Sequence, residues 1–514
     1  MSFASKRRYA TTVASTAVLL GLALILPGQA MAQNKNVTIV LSGEPDSLDG
    51  CMASRSVTGR VVKQNITETL VEIDSKDGAL KPRLATSWEK VNDVTWRFKL
   101  RQGVTFTDGS PFNAQTLTKS ISRLMDSKDL PCENRTKRFG DLYIKGVPVD
   151  DYTVDIVTNK PDPIVPTRMT VVTIDSPKTP TDKLIWDPVG TGPYILDHFT
   201  PGQEAVLKRN DKYWGQKPEV EQAKYIWRNE SAVRAAMVKI GEADLTDTIA
   251  QQDATDPKAD FSFLNSETTY GRIDLTQQPL DDRRIRLALN YALDRKAIIG
   301  SIFPKDVVPS AQVVFPAVAG HNHELDKRIY PFDQAKARQL IAEAKAAGVP
   351  VDKEIQLLGR IGYYPNVNEF GEALQAMYTA VGLNAKLIMM ESSIWSKFNN
   401  KPFPEPRAAT VLLHQHDNNN GDPVFSVFSK YSCAGNSSTQ CNPDLDKLIA
   451  DATAQSGPER VKAWNEVFRF IYEDMVSDIF MFHMVGFTRV GSRINFVPNV
   501  SINSEIPIAE IKFK

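Results

Sequence analysis

The spacing of apolar residues changes character along the chain. In the first half, residues 37–41 form a short β-rich run, and Thr95–Leu100 alternates apolar and polar side chains with the period of a half-buried strand. In the second half, residues 281–300 repeat apolar side chains at helical spacing. Between the strand-rich half and the helical half, residues 269–275 are predicted to form an extended segment that crosses from one to the other. The pattern predicts an α/β chain with a strand-rich first half and a more helical second half.

Further elements follow from the same periodicities. Asn113 stands where the side chain of a helix cap is expected. A strand–helix–strand unit is predicted over residues 354–358, 369–381 and 385–389. Other predicted helices cover residues 58–70, 113–123, 231–241, 332–347 and 458–475.

The first 32 residues have the three regions of a cleavable secretory signal. Basic residues near the start precede an apolar core at residues 17–26, and the small residues Ala30 and Ala32 close the segment. This core is shorter than the ~20 residues that span a bilayer. Gln33 follows the predicted cleavage site, where a lipid-anchored protein would need a cysteine. The sequence therefore predicts a signal peptide at 1–32 and an untethered mature chain in the periplasm.

The net charge and the length of the chain limit its expected partners and its number of domains. The 514-residue chain has 61 basic and 61 acidic side chains, and loss of the signal leaves a net charge of about −3. That balance argues against nucleic acid or an anionic membrane as a partner. The length suggests two or three domain-sized lobes. We expect a monomer.

Four cysteines remain in the predicted mature chain. In an oxidising compartment an even number of cysteines indicates disulfides. The order along the chain favours Cys51–Cys132 and Cys433–Cys441, although four cysteines allow two other pairings. No pair has the close spacing of a zinc site, and the six histidines are scattered. The sequence therefore predicts neither a metal site nor a cofactor.

Six segments, taken in order, resemble one family. They are GEPDSLD at 43–49, LATSWE at 84–89, LRQGVTFTDGSPF at 100–112, VGTGPY at 189–194, RNDKYWG at 209–215 and DRRIRLALNYALDR at 282–295. Together they cover nearly the whole predicted mature chain. In this order they resemble the family 5 extracellular solute-binding proteins of ABC importers, the oligopeptide-, dipeptide- and nickel-binding type.

The resemblance implies a fold and a division into lobes. It implies a two-lobe periplasmic-binding-protein clamshell of the class II type that closes on a ligand by hinge motion. The first lobe is expected at 33–270 plus 487–514, with an extra subdomain at about 80–190. The second lobe is expected at 271–486. The predicted crossing near residue 270 agrees with this boundary independently of the family.

The resemblance also places candidate ligand contacts. Arg360 follows a predicted strand, and in dipeptide-binding relatives an arginine of the matching segment holds the ligand carboxylate; a neighbouring acid could instead satisfy it. Tyr363 lies in the same segment. Trp395 stands where relatives often carry a cleft aromatic, although core packing explains it equally well. Arg55 lies in a segment that faces the cleft in relatives.

The loop before the Gly-Asp-Pro at 421–423 departs from the family. Peptide-binding relatives carry there an aspartate that pairs with the ligand's free amino group, and this position falls on Asn419. The nearest acid upstream is Asp417, with Asn418 between them. An asparagine offers no counter-charge to an ammonium group and suits sugar hydroxyls better. A small shift in the loop would return the role to Asp417, so both assignments stay open.

These residues favour a binding protein without a catalytic step. We expect it to capture a small polar solute and to deliver it to an inner-membrane ABC permease. Short peptides are the first ligand class, a sugar-phosphate or opine-type conjugate is the second, and a nickel complex is the third. A secreted hydrolase is the alternative from another class, but no Gly-x-Ser-x-Gly or His-Glu-x-x-His motif occurs.

Overall fold

A computed structural model describes residues 35–53, 56–75, 78–127, 129–140, 142–418 and 421–514. The predicted signal peptide at 1–32 lies outside these residues, as do Arg55 and Asn419. Within the described ranges, no helix is both long and apolar enough to cross a membrane.

Strands occur along the whole described chain. They are β1 (Asn36–Leu41), β2 (Glu68–Thr69), β3 (Val71–Ile73), β4 (Leu80–Pro82), β5 (Ala85–Asn92), β6 (Thr95–Leu100), β7 (Ile144–Asp150), β8 (Thr153–Thr158), β9 (Thr173–Ile174), β10 (Tyr194–Thr200), β11 (Glu204–Arg209), β12 (Gln222–Trp227), β13 (Leu245–Thr246), β14 (Asp260–Ile273), β15 (Val308–Pro309), β16 (Ile355–Arg360), β17 (Ala385–Met390), β18 (Ala409–Asp417), β19 (Asp478–Arg489), β20 (Ile494–Asn495) and β21 (Lys512–Phe513).

Helices concentrate in the second half. They are α1 (Ser56–Val62), α2 (Ala114–Asp126), α3 (Val165–Arg168), α4 (Ser231–Ile240), α5 (Arg283–Ala292), α6 (Arg295–Ile298), α7 (His323–Asp326), α8 (Gln334–Ala346), α9 (Val367–Ala380), α10 (Ser392–Asn399), α11 (Val424–Tyr431), α12 (Pro443–Ala454) and α13 (Gly457–Arg469).

Two larger sheets and one smaller sheet organise the chain. The five-stranded sheet has the order β10-β11-β12-β1-β13, and the six-stranded sheet has the order β15-β19-β14-β18-β16-β17. A four-stranded sheet, β5-β6-β8-β7, lies between β1 and β10 in sequence. Each sheet has its own apolar core because alternate strand residues turn inward. In β6, for example, Trp96, Phe98 and Leu100 are buried, as the sequence pattern predicts.

The predicted crossing is a long strand pair. β14 begins nine residues earlier than predicted, at Asp260, and pairs with β19 from Asp260↔Arg489 to Arg272↔Asp478. β14 and β19 both belong to the six-stranded sheet, while the bridge Leu245↔Val490 links the residue after β19 to β13 of the five-stranded sheet. The pair therefore joins the two larger sheets. Its register shifts between Leu264 and Thr268.

Several predicted elements are confirmed, whereas two predicted helices are shorter in the structure than predicted. Asn113 caps α2 in a capping box with Thr116. The helix predicted at 58–70 ends at Val62, because the chain reverses at Gln64 with φ of 60° and then enters β2. The helix predicted at 281–300 is broken at Asp294, whose carboxylate caps the short helix α6. A side chain that caps a second helix competes with continuation of the first.

Both favoured disulfides are present. Cys51 bonds to Cys132 and Cys433 bonds to Cys441, with Cα–Cα distances of 5.1 Å and 4.3 Å. The first links the segment after the GEPDSLD motif to the loop that follows α2. The second closes a loop between α11 and α12. The pairing favoured by the order of the cysteines is confirmed.

Candidate functional site

Two parallel strands of the six-stranded sheet end side by side. β16 and β18 are neighbours, with Leu358 opposite Leu412. Arg360, the last residue of β16, therefore lies next to the polar end of β18 at residues 414–417. Ligands of open α/β sheets bind at the carboxyl ends of such strands. The two predicted contacts Arg360 and Asp417 thus lie at one edge of the sheet.

The guanidinium of Arg360 rests on aromatic rings. Its Cζ lies 3.6 Å from the ring centroid of Tyr363 and 5.6 Å from that of Trp395. Cation–π contacts fix the side chain but leave its charge without a counter-ion. No carboxylate among the described residues lies within 4.0 Å of it. Arg360 therefore remains able to grip an anionic group with two parallel hydrogen bonds.

Tyr363 connects the ends of the two strands. Its hydroxyl donates a hydrogen bond of 2.6 Å to the backbone oxygen of Gln415, and its ring meets that of Trp395 edge-on at 5.2 Å. Burial raises the pKa of the Tyr363 hydroxyl to about 12, although the charge of Arg360 opposes this shift. The hydroxyl therefore keeps its proton at neutral pH and serves as a fixed donor.

Trp395 has the core-packing role, one of the two that the sequence leaves open, and its contact with ligand stays a prediction. The side chain projects from α10, is buried and packs with Leu358 and Leu412 in a small apolar cluster. Its Nε1 is buried without a hydrogen-bond partner among the described residues. Trp395 is therefore a core residue whose ring also lies near the Arg360 guanidinium.

An acidic pair lies where β14 meets the end of β18. Glu267 stands opposite Asp417 in the antiparallel register. Asn265 Nδ2 donates to Glu267 Oε2 at 2.8 Å, and Gln415 Nε2 donates to the same oxygen. Burial, and then the charge of Asp417, raise the pKa of Glu267 to about 7. The charge of Glu267 also raises the pKa of the Tyr363 hydroxyl, so Glu267 and Arg360 act electrostatically on the same group.

Asp417 is positioned by residues from distant parts of the chain. Ser266 Oγ donates to Asp417 Oδ1 at 2.7 Å, and Asn503 Nδ2 donates to Ser266 Oγ at 2.8 Å. Ser266 lies in the register shift of β14 with φ of 65°, a left-handed conformation that is uncommon outside glycine. Such strained positions are enriched at functional sites.

The predicted asparagines are only partly described. The backbone N–H of Asn418 donates to Ser266 O at 3.1 Å, and its side chain is 1% exposed. Both polar atoms of that amide lack a partner among the described residues. A buried amide without partners favours a ligand that can hydrogen-bond to it. Asn419 and Arg55 lie outside the described residues, so their roles stay predictions.

A cation from the first half of the chain interacts electrostatically with Asp417. Burial lowers the pKa of the Arg138 guanidinium, and attraction to Asp417 opposes that shift. Arg138 belongs to the segment Arg135–Phe139, which follows α2. The charge of Asp417 is therefore partly matched within the protein, whereas Glu267 has only amide donors.

The two histidines of this region each have a hydrogen-bonding partner. His416 Nε2 lies 2.6 Å from Ser426 Oγ, and His414 Nε2 lies 3.2 Å from Asn399 Oδ1. Burial holds the pKa of both imidazoles well below the usual value, so both are neutral. They act here as uncharged hydrogen-bonding groups.

Sequence reasoning missed Glu267, Ser266 and Asn503. A signal existed for the first two, because the polar run at 265–269 directly precedes the predicted crossing. No local pattern marks Asn503, which reaches the site only through the fold.

Comparison with known proteins identifies the family. The model for bacterial extracellular solute-binding proteins, family 5, matches residues 79–438. The dipeptide-binding protein of Escherichia coli K12 is 26% identical, covering 92% of this chain and 94% of that protein. Heme-binding protein A of Haemophilus influenzae is 26% identical, covering 84% of each chain. The solved structure of HbpA2 from Haemophilus parasuis superposes with a TM-score of 0.82 at 23% identity, covering 93% of this chain and all of that one.

These matches confirm the predicted fold class. The chain has the α/β two-lobe clamshell fold of periplasmic binding proteins. The exact boundaries of the lobes and of the extra subdomain stay predictions.

Proposed function

Because the chain belongs to family 5 of the bacterial extracellular solute-binding proteins, we propose that it is the periplasmic substrate-binding component of an ABC importer. Proteins of this family bind small ligands such as peptides and deliver them to ABC permeases. In this role the chain takes up one solute between its lobes and releases it unchanged to an inner-membrane permease. The lobes comprise residues 33–270 with 487–514, and residues 271–486.

The proposed ligand is a short peptide. The arrangement of charge around Tyr363 carries this choice, because Arg360 has no acid beside it, while Asp417 ends the neighbouring strand β18 and Glu267 lies opposite it on β14. A short peptide bears one carboxylate and one ammonium group. Arg360 binds the carboxylate and the acidic pair accepts the ammonium, with Glu267 as the acid that lacks a cationic partner.

The unpartnered amide of Asn418 favours a second candidate. A sugar-phosphate or opine-type conjugate would place hydroxyl groups against this amide and its anionic group against Arg360. Such a ligand has no need of the acidic pair. The two candidates therefore differ in whether Glu267 contributes to affinity.

The identity of the bound solute is tested first. The protein is purified without denaturation, and mass spectrometry identifies what co-purifies with it. A peptide of two to four residues recovered intact supports the proposal, whereas a sugar phosphate supports the second candidate. Conversion of the recovered compound by the protein would show a hydrolase and would contradict a purely binding role.

The contact of Arg360 is tested next by calorimetry with the recovered peptide. Arg360→Met should weaken binding about 30-fold or more, because charged hydrogen bonds are lost. The same substitution at the exposed Arg338 of α8 is the matched control and should leave affinity unchanged. The C-amidated peptide should bind Arg360→Met about as well as the free acid does. Equal affinity of the free acid for Arg360→Met and the parent protein would refute the assignment.

A further inference from the structure

Three of the six histidines converge on one place away from the proposed ligand site. The ring centroids of His321 and His323 lie 4.7 Å apart, and those of His321 and His483 lie 5.6 Å apart. His483 belongs to strand β19, whereas His323 begins α7 and His321 lies two residues before it. The fold thus joins residues that are far apart in sequence, which is why the scattered histidines predict no metal site.

His321 is held so that its Nε2 faces a carboxylate. Its Nδ1 lies 2.9 Å from the backbone oxygen of Val314, which only accepts, so Nδ1 carries a proton. Its Nε2 lies 2.6 Å from Asp326 Oδ2. With Nδ1 protonated, the short contact between Nε2 and the carboxylate needs either a second proton on Nε2 or a metal ion bound by both atoms. A metal-bound histidine typically donates its other N–H to a backbone carbonyl in this way.

His483 presents a second nitrogen to the same place. Its Nδ1 lies 2.9 Å from Thr268 Oγ1. Its Nε2 is buried and has no hydrogen-bond partner among the described residues, and the side chain is fully buried. A buried nitrogen without a partner is unfavourable unless something in the folded protein binds it. With Nδ1 protonated towards Thr268, the lone pair of Nε2 is available as a ligand.

We propose that His321, Asp326 and His483 bind one divalent transition-metal ion, with Zn²⁺ as the best match. Within the described part of the chain these residues are the one group of three His, Cys, Asp or Glu side chains with ligand atoms all within 4.8 Å of one another. Two imidazole nitrogens and one carboxylate are a common ligand set of Zn²⁺, with water in the remaining position.

The site requires a small rearrangement to bind the ion. With bonds of about 2.0–2.1 Å, two ligand atoms of a tetrahedral zinc site are roughly 3.3 Å apart. The separations here are all within 4.8 Å, so the widest shortens by at most roughly 1.5 Å, while the 2.6 Å between His321 Nε2 and Asp326 Oδ2 widens. Asp326 is the ligand with freedom to move, because its side chain is 23% exposed at the end of the short helix α7. Gln312 Nε2 lies 3.3 Å from both His321 Nε2 and Asp326 Oδ1 and orients the pair.

The metal would brace the strands that carry the proposed ligand site. His483 stands opposite Thr268 in the β14–β19 register, and Thr268 directly follows Glu267. Successive strand residues point to opposite faces, so the metal and the ligand would lie on opposite sides of β14. A bound ion would tie the segment at 310–326 to β19. An ion bound at this place would therefore be separate from any metal carried as cargo in the proposed ligand site.

Titration of the EDTA-stripped full-length protein with ZnCl₂ tests the proposal. Calorimetry should give one ion per chain, and a hundredfold excess of Zn²⁺ over its Kd should raise Tm by about 2–3 °C. CoCl₂ should give the visible absorption of four- or five-coordinate Co²⁺. Asp326→Asn and His483→Gln should each weaken Zn²⁺ binding about 100-fold or more. Because His483 is fully buried, the partly exposed Asp326 provides the variant most certain to fold.

Two histidines elsewhere provide matched controls. His416→Gln tests binding near the proposed ligand site, and His198→Gln tests the exposed histidine between Asp197 and Glu204. Both should leave Zn²⁺ affinity and the Co²⁺ spectrum unchanged. Loss of binding in either control with retention in Asp326→Asn would overturn the proposal, as would the absence of one-to-one binding at millimolar Zn²⁺.

Discussion

Arg123 and Asp49 form an ion pair that is closed off from solvent, with Nη2 of the arginine 2.6 Å from Oδ2 of the aspartate. Asp49 ends the GEPDSLD segment, and Arg123 lies on α2 beside the four-stranded sheet. Asp49 also accepts hydrogen bonds from the backbone N–H groups of Cys51 and Ile185. This aspartate therefore joins the GEPDSLD segment to the helix that packs beside the four-stranded sheet. Its role in the motif is structural, because it touches no proposed ligand contact.

Asp49→Asn should destabilise the protein by up to about 3–5 kcal/mol, because Arg123 would lose its nearest buried counter-charge and would keep only Asp175, 3.4 Å away. Chemical unfolding at neutral pH measures the change. Asp93→Asn is the control, since it breaks the exposed pair with Lys90 and should leave the unfolding midpoint unchanged. A similar midpoint for both variants would contradict the structural role of Asp49.

Asp175 should make stability depend on pH. It is buried 3.4 Å from Arg123, and burial, with the charge of Asp49 adding to it, raises its pKa to about 7. Between about pH 4 and pH 7 the folded protein holds a proton that the unfolded chain has released. This contribution to stability is therefore complete at low pH and is lost as the pH rises towards 7.

Asp175→Asn should remove the loss of stability that the parent protein shows as the pH rises. The difference in unfolding free energy, variant minus parent, should be about 2 kcal/mol larger at pH 8 than at pH 5. Urea unfolding at both values measures the difference. Asp187→Asn, at an exposed position, should show no such pH dependence. An equal effect of Asp175→Asn at both values would mean that the carboxyl group titrates normally in the folded protein.

The two disulfides should contribute unequally to the stability of the folded protein. The loops that they close span 81 and 8 residues, and loop-closure entropy gives about 4.5 and 2.5 kcal/mol respectively. Replacing Cys51 and Cys132 by serine should therefore lower stability more than replacing Cys433 and Cys441. Thermal unfolding compares the two double variants, and thiol titration of the unreduced parent should detect no reactive cysteine. The reverse order would show that native-state effects outweigh loop length.

Binding of an ammonium-bearing ligand should strengthen as the pH rises. The pKa of Glu267 is about 7, so its charged form grows between pH 6 and pH 8, and affinity should increase about tenfold over that range. Glu267→Gln should remove the dependence, whereas Glu372→Gln on the exposed face of α9 should retain it. Calorimetry with the co-purifying peptide and its N-acetyl derivative measures both. A pH-dependent affinity that persists in Glu267→Gln would assign the effect to another group.

Much of the fold follows from local pattern. Alternation located β6, helical spacing located α8 and α9, and the strand predicted at 354–358 placed Arg360 at the carboxyl end of β16. The predicted ends of helices were wrong where a single residue sets the end, as at Asp294. The spacing of apolar residues does not show that a side chain caps the next helix.

The remainder of the site depends on long-range contacts. Glu267 acquires its raised pKa only when β14 pairs with β18, and Asn503 reaches Ser266 only after the C-terminal segment has folded back. His321 and His483 likewise become neighbours through β19. No spacing within the sequence encodes these contacts.

The register shift in β14 has a mechanical consequence. A strand pair that joins two bodies bends most easily where its ladder of hydrogen bonds is interrupted, and here the interruption includes Ser266, which holds Asp417. The proposed hinge between the lobes at Ser266 is therefore in direct contact with Asp417, one of the proposed ligand contacts. Attraction of a ligand's ammonium group would act directly on the angle between the lobes, with no relay of intervening side chains.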